Sequence, residues 1–261
     1  MPASRIVSLC PSITETLVAI GGLPRLVGAT RYCVRPKKLL RGLSRVGGTK
    51  SPDLPRVLAL EPDVVFANEE ENRKEDIETL CREGIEVDVT FPRRVADVPA
   101  AVRQWGRRLG GDSVEAAEAL ARRIESAHQM LCASPPSRSF SYAYWIWKDP
   151  WMTISDDTYV ADLLRLAGGT NVFAGESVRY PLVSPSQALT RDVQVHFFPS
   201  EPFPFRRQRH EQLTYALFGG QPRRLFVDGD DYCWHGARTL SGLEEMHRIR
   251  NMFEGKMASL I

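Results

Sequence analysis

A strand followed at once by a helix, at residues 5–22, constrains the fold more than any other segment of this chain. The apolar run at residues 6–9 has the length of a buried strand. Ser12 and Glu15 have the S-x-x-E spacing of a capping box, so we expect a helix to begin there and to end at the glycine pair 21–22. The turn between the two elements then lies at the carboxyl end of a strand, where ligands bind in open α/β sheets.

Similar strand and helix patterns alternate along the rest of the chain. In the first part, strands are predicted at residues 25–29, 64–67 and 85–89, and helices from Ser51, at 72–83 and at 95–109. In the last part, strands are predicted at 140–146, 193–198 and 224–227, and helices at 158–167, from Ser184 and at 238–252. Between the two blocks, apolar spacing predicts one long helix from Asp112 to about Cys132.

This alternation indicates crossover connections and therefore parallel sheets. We predict an α/β protein of two Rossmann-like lobes, joined by one long linking helix, with a ligand cleft between the lobes. The predicted domains are residues 1–110 for the N-terminal lobe, 111–134 for the linking helix and 135–261 for the C-terminal lobe.

Composition narrows the compartment and the class of partner. A net charge of +2 over 261 residues gives no reason to expect nucleic acid, and no apolar stretch approaches the length of a membrane span. The five cysteines include no C-x-x-C pair, which favours a reducing compartment over a disulfide framework. Residues 1–4 lack the features of a signal peptide. We therefore expect a cytoplasmic location for the sequence as it stands, and a periplasmic one if an export signal is missing from it.

Four segments resemble the helical-backbone substrate-binding proteins, the class that delivers cobalamin, haem and ferric siderophores to ABC importers. They are residues 5–15 (RIVSLCPSITE), 58–67 (LALEPDVVFA), 181–189 and 236–244. The resemblance covers nearly the whole chain and is closest to the cobalamin-binding branch. It implies a non-catalytic solute-binding protein for a cobalamin-like corrinoid or another metal chelate, such as haem or a ferric siderophore, with no required cofactor. It also implies an ABC importer permease as a partner, and we expect a monomer.

The resemblance also assigns individual positions. In the cobalamin-binding branch a tyrosine after the second strand packs against the corrin, and Tyr32 occupies the matching place. A tryptophan usually follows the third strand, where this chain has Asn68. The acidic residues that dock relatives onto the importer correspond to positions near Lys74 and Cys233. The chain therefore departs from the family pattern at one corrin contact and at both docking positions.

If both sheets present their carboxyl ends to one cleft, the loops after the strands line it. The predicted ligand-binding residues are Ser8, Pro11, Ser12, Arg31, Tyr32, Gly48, Asn68, Glu69, Trp147, Trp151, Tyr180, Tyr232, Trp234, His235 and Arg238. Trp147 and Trp151 follow an aromatic-rich strand, and a flat macrocycle would bury a large area against them. Packing in the core is the alternative explanation for both tryptophans.

Two sets of polar residues in these loops each have a functional and a non-functional interpretation. Cys10, Cys33, Cys233 and His235 are candidate metal ligands because thiolate and imidazole suit soft metals, but their spacing matches no metal motif and unrelated residues would look the same. The run Glu69 to Glu71 could bind a cation, or be the solvated start of a helix.

Two other functions compete with solute binding. A doubly wound α/β enzyme is disfavoured, because no G-x-G-x-x-G follows a strand and residues 47–50 lack the spacing of a phosphate loop. A cytoplasmic ligand sensor or chaperone that kept the binding fold is the stronger alternative. The missing signal peptide and the altered docking positions favour it over the enzyme.

Overall fold

The computed structural model describes residues 2–220 and 223–255. The chain divides into two compact units. Unit 1 comprises Met1–Pro92, Ala96–Ser126 and His235–Arg238, and unit 2 comprises Arg93–Val95, Ala127–Trp234 and Thr239–Ile261. Each unit is an α/β lobe with its own parallel sheet, so the predicted fold class is confirmed.

The sheet of unit 1 is parallel throughout. Its strands are β1 (Ile6–Ser8), β2 (Leu26–Ala29), β3 (Ser44–Arg45), β4 (Val64–Asn68) and β5 (Glu86–Thr90), in the order β3-β2-β1-β4-β5. Because the strand order reverses between β1 and β4, the loops after these two strands border the crevice in which open α/β sheets bind ligands. The strand β3 was not predicted from sequence, since two residues carry no periodicity.

Five helices belong wholly or partly to unit 1. They are α1 (Pro11–Ala19), α2 (Leu54–Ala59), α3 (Lys74–Arg82), α4 (Val98–Leu109) and the long helix α5 (Asp112–Ala133), with short 3-10 turns at Leu23–Arg25 and, before α4, at Val95–Asp97. The helix α1 begins after Cys10 with no side-chain cap, so the predicted capping box is wrong. Ser12 lies within the helix, and the Glu15 carboxylate accepts from Arg238 Nε at 3.0 Å instead.

The long helix α5 is confirmed at nearly its predicted bounds. It is fixed to α4 within unit 1 by Arg103, whose guanidinium donates to Glu118 at 2.7 Å and to Glu125 at 2.6 Å. Its residues up to Ser126 belong to unit 1 and those from Ala127 to unit 2. The domain boundaries predicted at 110/111 and 134/135 stay a prediction.

The sheet of unit 2 is also parallel. Its strands are β6 (Phe140–Tyr144), β7 (Gly169–Asn171), β8 (Val195–Pro199) and β9 (Arg223–Val227), in the order β7-β6-β8-β9. The order reverses between β6 and β8, so the loops after these strands border the corresponding crevice of unit 2. The strand β7 was missed because its Gly-Thr-Asn sequence is polar and short.

The helices that lie wholly in unit 2 are α6 (Tyr159–Leu166), α7 (Pro185–Leu189), α8 (Arg207–Phe218), α9 (Gly229–Cys233) and α10 (Thr239–Phe253). The helix predicted from Ser184 is confirmed as α7, and Ser184 and Gln187 form a reciprocal capping box at its start. The helix α8 was not predicted, because it buries only Thr214 and Phe218 and therefore shows no apolar stripe. None of the helices in the described part of the chain combines the length and the apolar character that crossing a membrane requires.

An aromatic cluster forms the core of unit 2. The indole of Trp145 is fully buried and packs against Phe218 at 5.2 Å between ring centroids. Its Nε1 donates to Nδ1 of His196 at 3.1 Å, which satisfies both polar atoms inside the core. Trp151 packs edge-on against Trp145 at 5.2 Å. Core packing therefore accounts for a good part of the aromatic-rich segment that follows β6.

Candidate functional site

The loops at the carboxyl edge of the unit 1 sheet are held together by one amide. Asn72 Nδ2 donates to the carbonyl of Leu9, after β1, at 3.2 Å and to the carbonyl of Thr49, after β3, at 3.0 Å. Its Oδ1 accepts from the backbone N–H of Asn68 at 2.8 Å. Three of the loops predicted to line the site therefore lie side by side, and Asn72 is a residue that the sequence analysis missed.

Arg31 and Tyr32 form the exposed part of this edge, and they lie against the buried Gly48. The Tyr32 side chain is 50% exposed, and the Arg31 guanidinium carbon lies 5.1 Å from the centre of its ring. A Cβ on Gly48 would lie 3.3 Å from Tyr32 Cε2 and 3.4 Å from Arg31 Nη2. Glycine therefore lets both side chains lie against the backbone. The structure brings these three predicted residues together, with Arg31 and Tyr32 accessible to a ligand and Gly48 buried against them.

Asn68 takes a different place from the one the sequence suggested. Its side chain is buried, donates through Nδ2 to the Thr90 carbonyl and to His235 Nε2, both at 3.1 Å, and accepts through Oδ1 from the amides of Glu70 and Glu71. All its hydrogen-bonding groups are used within unit 1. Asn68 thus organises the loop after β4, while the neighbouring Glu69 is exposed.

Ser8 and Ser12 are buried beneath the edge. Thr14 Oγ1 donates to Ser8 Oγ at 2.8 Å and to Cys33 Sγ at 3.0 Å, and Ser12 Oγ lies 3.2 Å from Cys10 Sγ. The side chains of Ser8 and Ser12, which were predicted to contact a ligand, are therefore not accessible to one. Pro11, the first residue of α1, is half-buried.

The two thiols of this network are protonated. Burial raises the pKa of Cys10 and of Cys33 well above the ordinary value of a thiol. Among residues 2–220 and 223–255, no three His, Cys, Asp or Glu side chains form a group that could hold a metal ion. The metal site at Cys10, Cys33, Cys233 and His235 stays a prediction that finds no support among these residues, where Cys10, Cys33 and Cys233 are engaged in hydrogen bonds within the protein.

His235 and Arg238 belong to unit 1 although their neighbours in sequence belong to unit 2. The His235 ring is buried and lies edge-on to Trp105 at 6.0 Å between centroids. Burial lowers its pKa to about 4, so the imidazole is neutral at physiological pH. Arg238 is half-buried and ion-paired with Glu15. Both residues complete the polar framework of unit 1.

In unit 2, Trp147 and Phe203 meet where the strand order reverses. Trp147 follows β6, Phe203 follows β8, and their ring centroids are 5.5 Å apart in an edge-on arrangement. Trp147 is 40% exposed. Backbone bridges join it to Met152 and Met152 to Leu182, which is 63% exposed. The carboxyl edge of this sheet therefore presents an accessible apolar surface, with Phe203 and Leu182 as members that were not predicted.

The other aromatic residues predicted in unit 2 are less accessible. Trp151 is half-buried and stacked on Phe205 at 5.9 Å. Tyr232 is buried and donates to Glu245 Oε1 at 3.0 Å. Trp234 is buried, and Tyr180 is half-buried. Trp147 is thus the residue of this group that has its ring free to contact a ligand.

Comparison with known proteins decides the family. The sequence profile described as periplasmic binding protein matches residues 6–213, most of the chain. The chain belongs to the periplasmic binding protein family. The prediction of a binding protein rather than an enzyme is confirmed by this membership.

Individual proteins and solved structures are also similar to this chain. The vitamin B12-binding protein of Vibrio cholerae serotype O1 is 27% identical over 198 residues, which are 75% of this chain and 70% of that protein. The solved structure of the periplasmic vitamin B12 binding protein BtuF of Vibrio cholerae has a TM-score of 0.79 at 23% identity, covering 97% of this chain and 98% of its own. A periplasmic haem-binding protein from Pseudomonas aeruginosa has a TM-score of 0.82 at 19% identity, covering 99% and 95%. The two structures share the fold with this chain.

Proposed function

We propose that this periplasmic binding protein takes a cobalamin-like corrinoid as its solute. The observation that carries the proposal is the sequence similarity to vitamin B12-binding proteins, which runs through three quarters of the chain at 27% identity. A second protein of that name, from Yersinia pestis, is 28% identical over 195 residues. Similarity of this extent favours a shared solute class.

The exposed aromatic residues at the two sheet edges support this solute. A corrinoid has a flat, largely apolar ring, and aromatic faces bury large areas of such a ring with defined geometry. Tyr32 in unit 1 and Trp147 in unit 2 are both exposed and both follow strands at the carboxyl edge. We infer that each packs against the solute.

Arg31 supplies the polar part of recognition in unit 1. A corrinoid carries side-chain amides and a phosphodiester around its ring, and a guanidinium donates to both kinds of oxygen. Arg31 is exposed, and its contact with the Tyr32 ring already restricts the conformations of its side chain. Less conformational entropy is therefore lost when it binds the solute. Gly48 takes part through its lack of a side chain, because a methyl group there would displace this pair.

The partner and the compartment follow from the same proposal. We propose that the protein works in the periplasm, in accord with the family, and hands its solute to the permease of an ABC importer. Fractionation of the native host tests the compartment. A protein recovered with the cytosol, bound to corrinoid, would instead support the sensor that the sequence left open. The expectation of a monomer stays a prediction.

Equilibrium dialysis against cyanocobalamin tests the solute. We expect saturable retention of one corrinoid per chain, reduced by Tyr32→Ala and by Trp147→Ala. Haemin and a ferric siderophore serve as competitors. If the protein retains haemin or the siderophore but not cyanocobalamin, its solute is that chelate and not a corrinoid. If it retains none of the three, the proposal is overturned.

A further inference from the structure

Positive charge is concentrated in one early segment of the chain. Residues 16–52 contain eight of the 34 lysine and arginine residues and none of the 32 aspartate and glutamate residues. The rest of the chain therefore has more acidic than basic side chains, although the net charge of the whole is only +2. Several of these cations lie in the loop between β2 and β3, residues 34–43, which we call the basic loop.

The basic loop has a defined conformation. Leu40 is 1% exposed and anchors the loop in unit 1, and the backbone amides of Leu39 and Leu40 donate to the Pro36 carbonyl at 3.1 and 3.3 Å. The Arg45 guanidinium donates to the carbonyls of Cys33 at 2.9 Å and Leu40 at 3.3 Å. The side chains on its outer side are therefore presented by a fixed backbone.

Those outer side chains include both cationic and apolar groups. Lys37, Lys38 and Arg41 are exposed and form no ion pair within the part of the chain that the structure describes. Val34, which precedes these cations in sequence, is 51% exposed, and Leu39, which lies among them, is 52% exposed. Elsewhere exposed arginines such as Arg73, Arg122 and Arg165 pair with carboxylates. The basic loop differs because its cations are clustered with no acidic residue near in sequence and with exposed aliphatic groups beside them.

We propose that the basic loop docks on an anionic phospholipid surface. Lysine and arginine stems lie along apolar surface while their charged ends reach headgroup phosphates, and aliphatic side chains between them enter the interface. A protein partner is disfavoured because lysine is depleted from protein–protein interfaces. This docking is separate from solute binding, since none of Val34, Lys37, Lys38, Leu39 and Arg41 belongs to the solute site proposed above.

The contribution of charge to the membrane affinity follows from the number of exposed cations in the basic loop. A basic residue near an anionic leaflet contributes roughly fivefold in affinity, so three of them give about 100-fold. The attraction falls as salt rises, because mobile ions screen exposed charges. Val34 and Leu39 add a smaller contribution to the affinity, and salt does not screen this contribution.

Vesicle co-sedimentation of the full chain tests the proposal, with a charge-matched control. Vesicles contain equal parts phosphatidylcholine and phosphatidylglycerol, or phosphatidylcholine alone. We expect binding to the anionic vesicles only, weakened by salt and lowered about 100-fold in the triple variant Lys37→Gln, Lys38→Gln, Arg41→Gln. The control triple variant Arg56→Gln, Arg107→Gln, Arg123→Gln removes the same charge from exposed positions of unit 1 and should bind nearly as the parent does.

Three results would overturn the proposal: no binding to anionic vesicles at low salt, equal loss in the two triple variants, or equal binding to neutral vesicles. Polyglutamate competes as a soluble acidic polymer, and stronger binding to it than to vesicles would assign the loop to an acidic protein instead. Unchanged melting temperatures of both triple variants show that the comparison is between folded proteins. Val34→Ser with Leu39→Ser should lower vesicle binding several-fold and leave its salt dependence as it was.

Discussion

Asn68 and His235 are joined by a hydrogen bond of 3.1 Å although 167 residues separate them in sequence. The amide nitrogen of Asn68 can only donate, so His235 Nε2 accepts and carries no proton. The bond fastens the segment His235–Arg238 to the end of β4 within unit 1, where Ala237 N–H also donates to Thr16 Oγ1 at 2.9 Å. A sequence-distant segment thereby becomes part of the framework under the candidate site.

Removing the Asn68 amide should destabilise the protein. Asn68→Leu leaves the His235 nitrogen, the Thr90 carbonyl and the amides of Glu70 and Glu71 without this partner, and we expect a loss of roughly 2–4 kcal/mol. Asn68→Asp keeps the acceptor and should cost less. Urea unfolding measures both, and a leucine variant as stable as the parent would contradict the role given to Asn68.

Stability should fall in acid because of His196 and His235. Burial lowers the pKa of each to about 4, so the unfolded chain, with an ordinary pKa near 6.5, takes up protons first. The free energy of unfolding is therefore at its full value above about pH 6.5. It decreases as the pH falls toward 4, by about 1.4 kcal/mol per pH unit for each histidine. Urea unfolding across this range measures the slope, which should be shallower in His196→Gln. An unchanged slope in that variant would contradict the neutral His196 that accepts from Trp145.

Tyr32→Ala should weaken corrinoid binding about tenfold, because the variant loses one aromatic face against the ring. Tyr215→Ala is the matched control: Tyr215 is 57% exposed, on α8, away from the predicted site residues in sequence. Calorimetric titration of both variants measures the difference. Equal affinities in the two variants would remove Tyr32 from the site.

Gly48→Ala should weaken corrinoid binding several-fold and leave the melting temperature nearly unchanged. The added methyl group meets side-chain atoms of Ser51, Tyr32 and Arg31 at 3.2 to 3.4 Å, and these flexible groups must move away. Gly175→Ala is the control, since nothing lies within 4 Å of its added Cβ. Parent-like affinity in Gly48→Ala would show that the arrangement of Arg31 and Tyr32 does not matter for binding.

Arg250→Met should cost roughly 3 kcal/mol of stability. The buried Arg250 guanidinium donates to the carbonyls of Leu131 at 3.0 Å, Ser134 and Leu166, all in unit 2, and methionine leaves these carbonyls without a donor. Arg248→Met, two residues away, removes a half-buried ion pair with Glu245 that stays partly open to solvent, and should cost about 1 kcal/mol. Urea unfolding of both variants checks the difference, and similar losses would contradict it.

Sequence patterns predicted the fold well because the lobes rest on buried parallel strands. The residues of β1, β4, β6 and β8 are apolar enough to be read as buried strands without knowledge of their neighbours. The elements that were missed, such as β3 and α8, are short or lack an apolar stripe. Their conformation depends on the surrounding structure more than on their own periodicity.

The site was predicted less completely, for a physical reason. Position in a loop after a strand correctly placed Arg31, Tyr32 and Trp147 on accessible surface. It could not show that Ser8 and Asn68 are buried, because their burial depends on partners distant in sequence, Thr14 in the next helix and His235 near the end of the chain. Loop position indicates the edge of a sheet, whereas accessibility is decided by tertiary hydrogen bonds.

Calorimetric titration of the protein with cyanocobalamin tests the central claim most directly. We predict a saturable heat with one corrinoid per chain and a micromolar or tighter dissociation constant. The dissociation constant should be larger in Tyr32→Ala and in Trp147→Ala. Absence of binding by folded protein, with the expected cooperative melting, would contradict the assignment of a corrinoid as its solute.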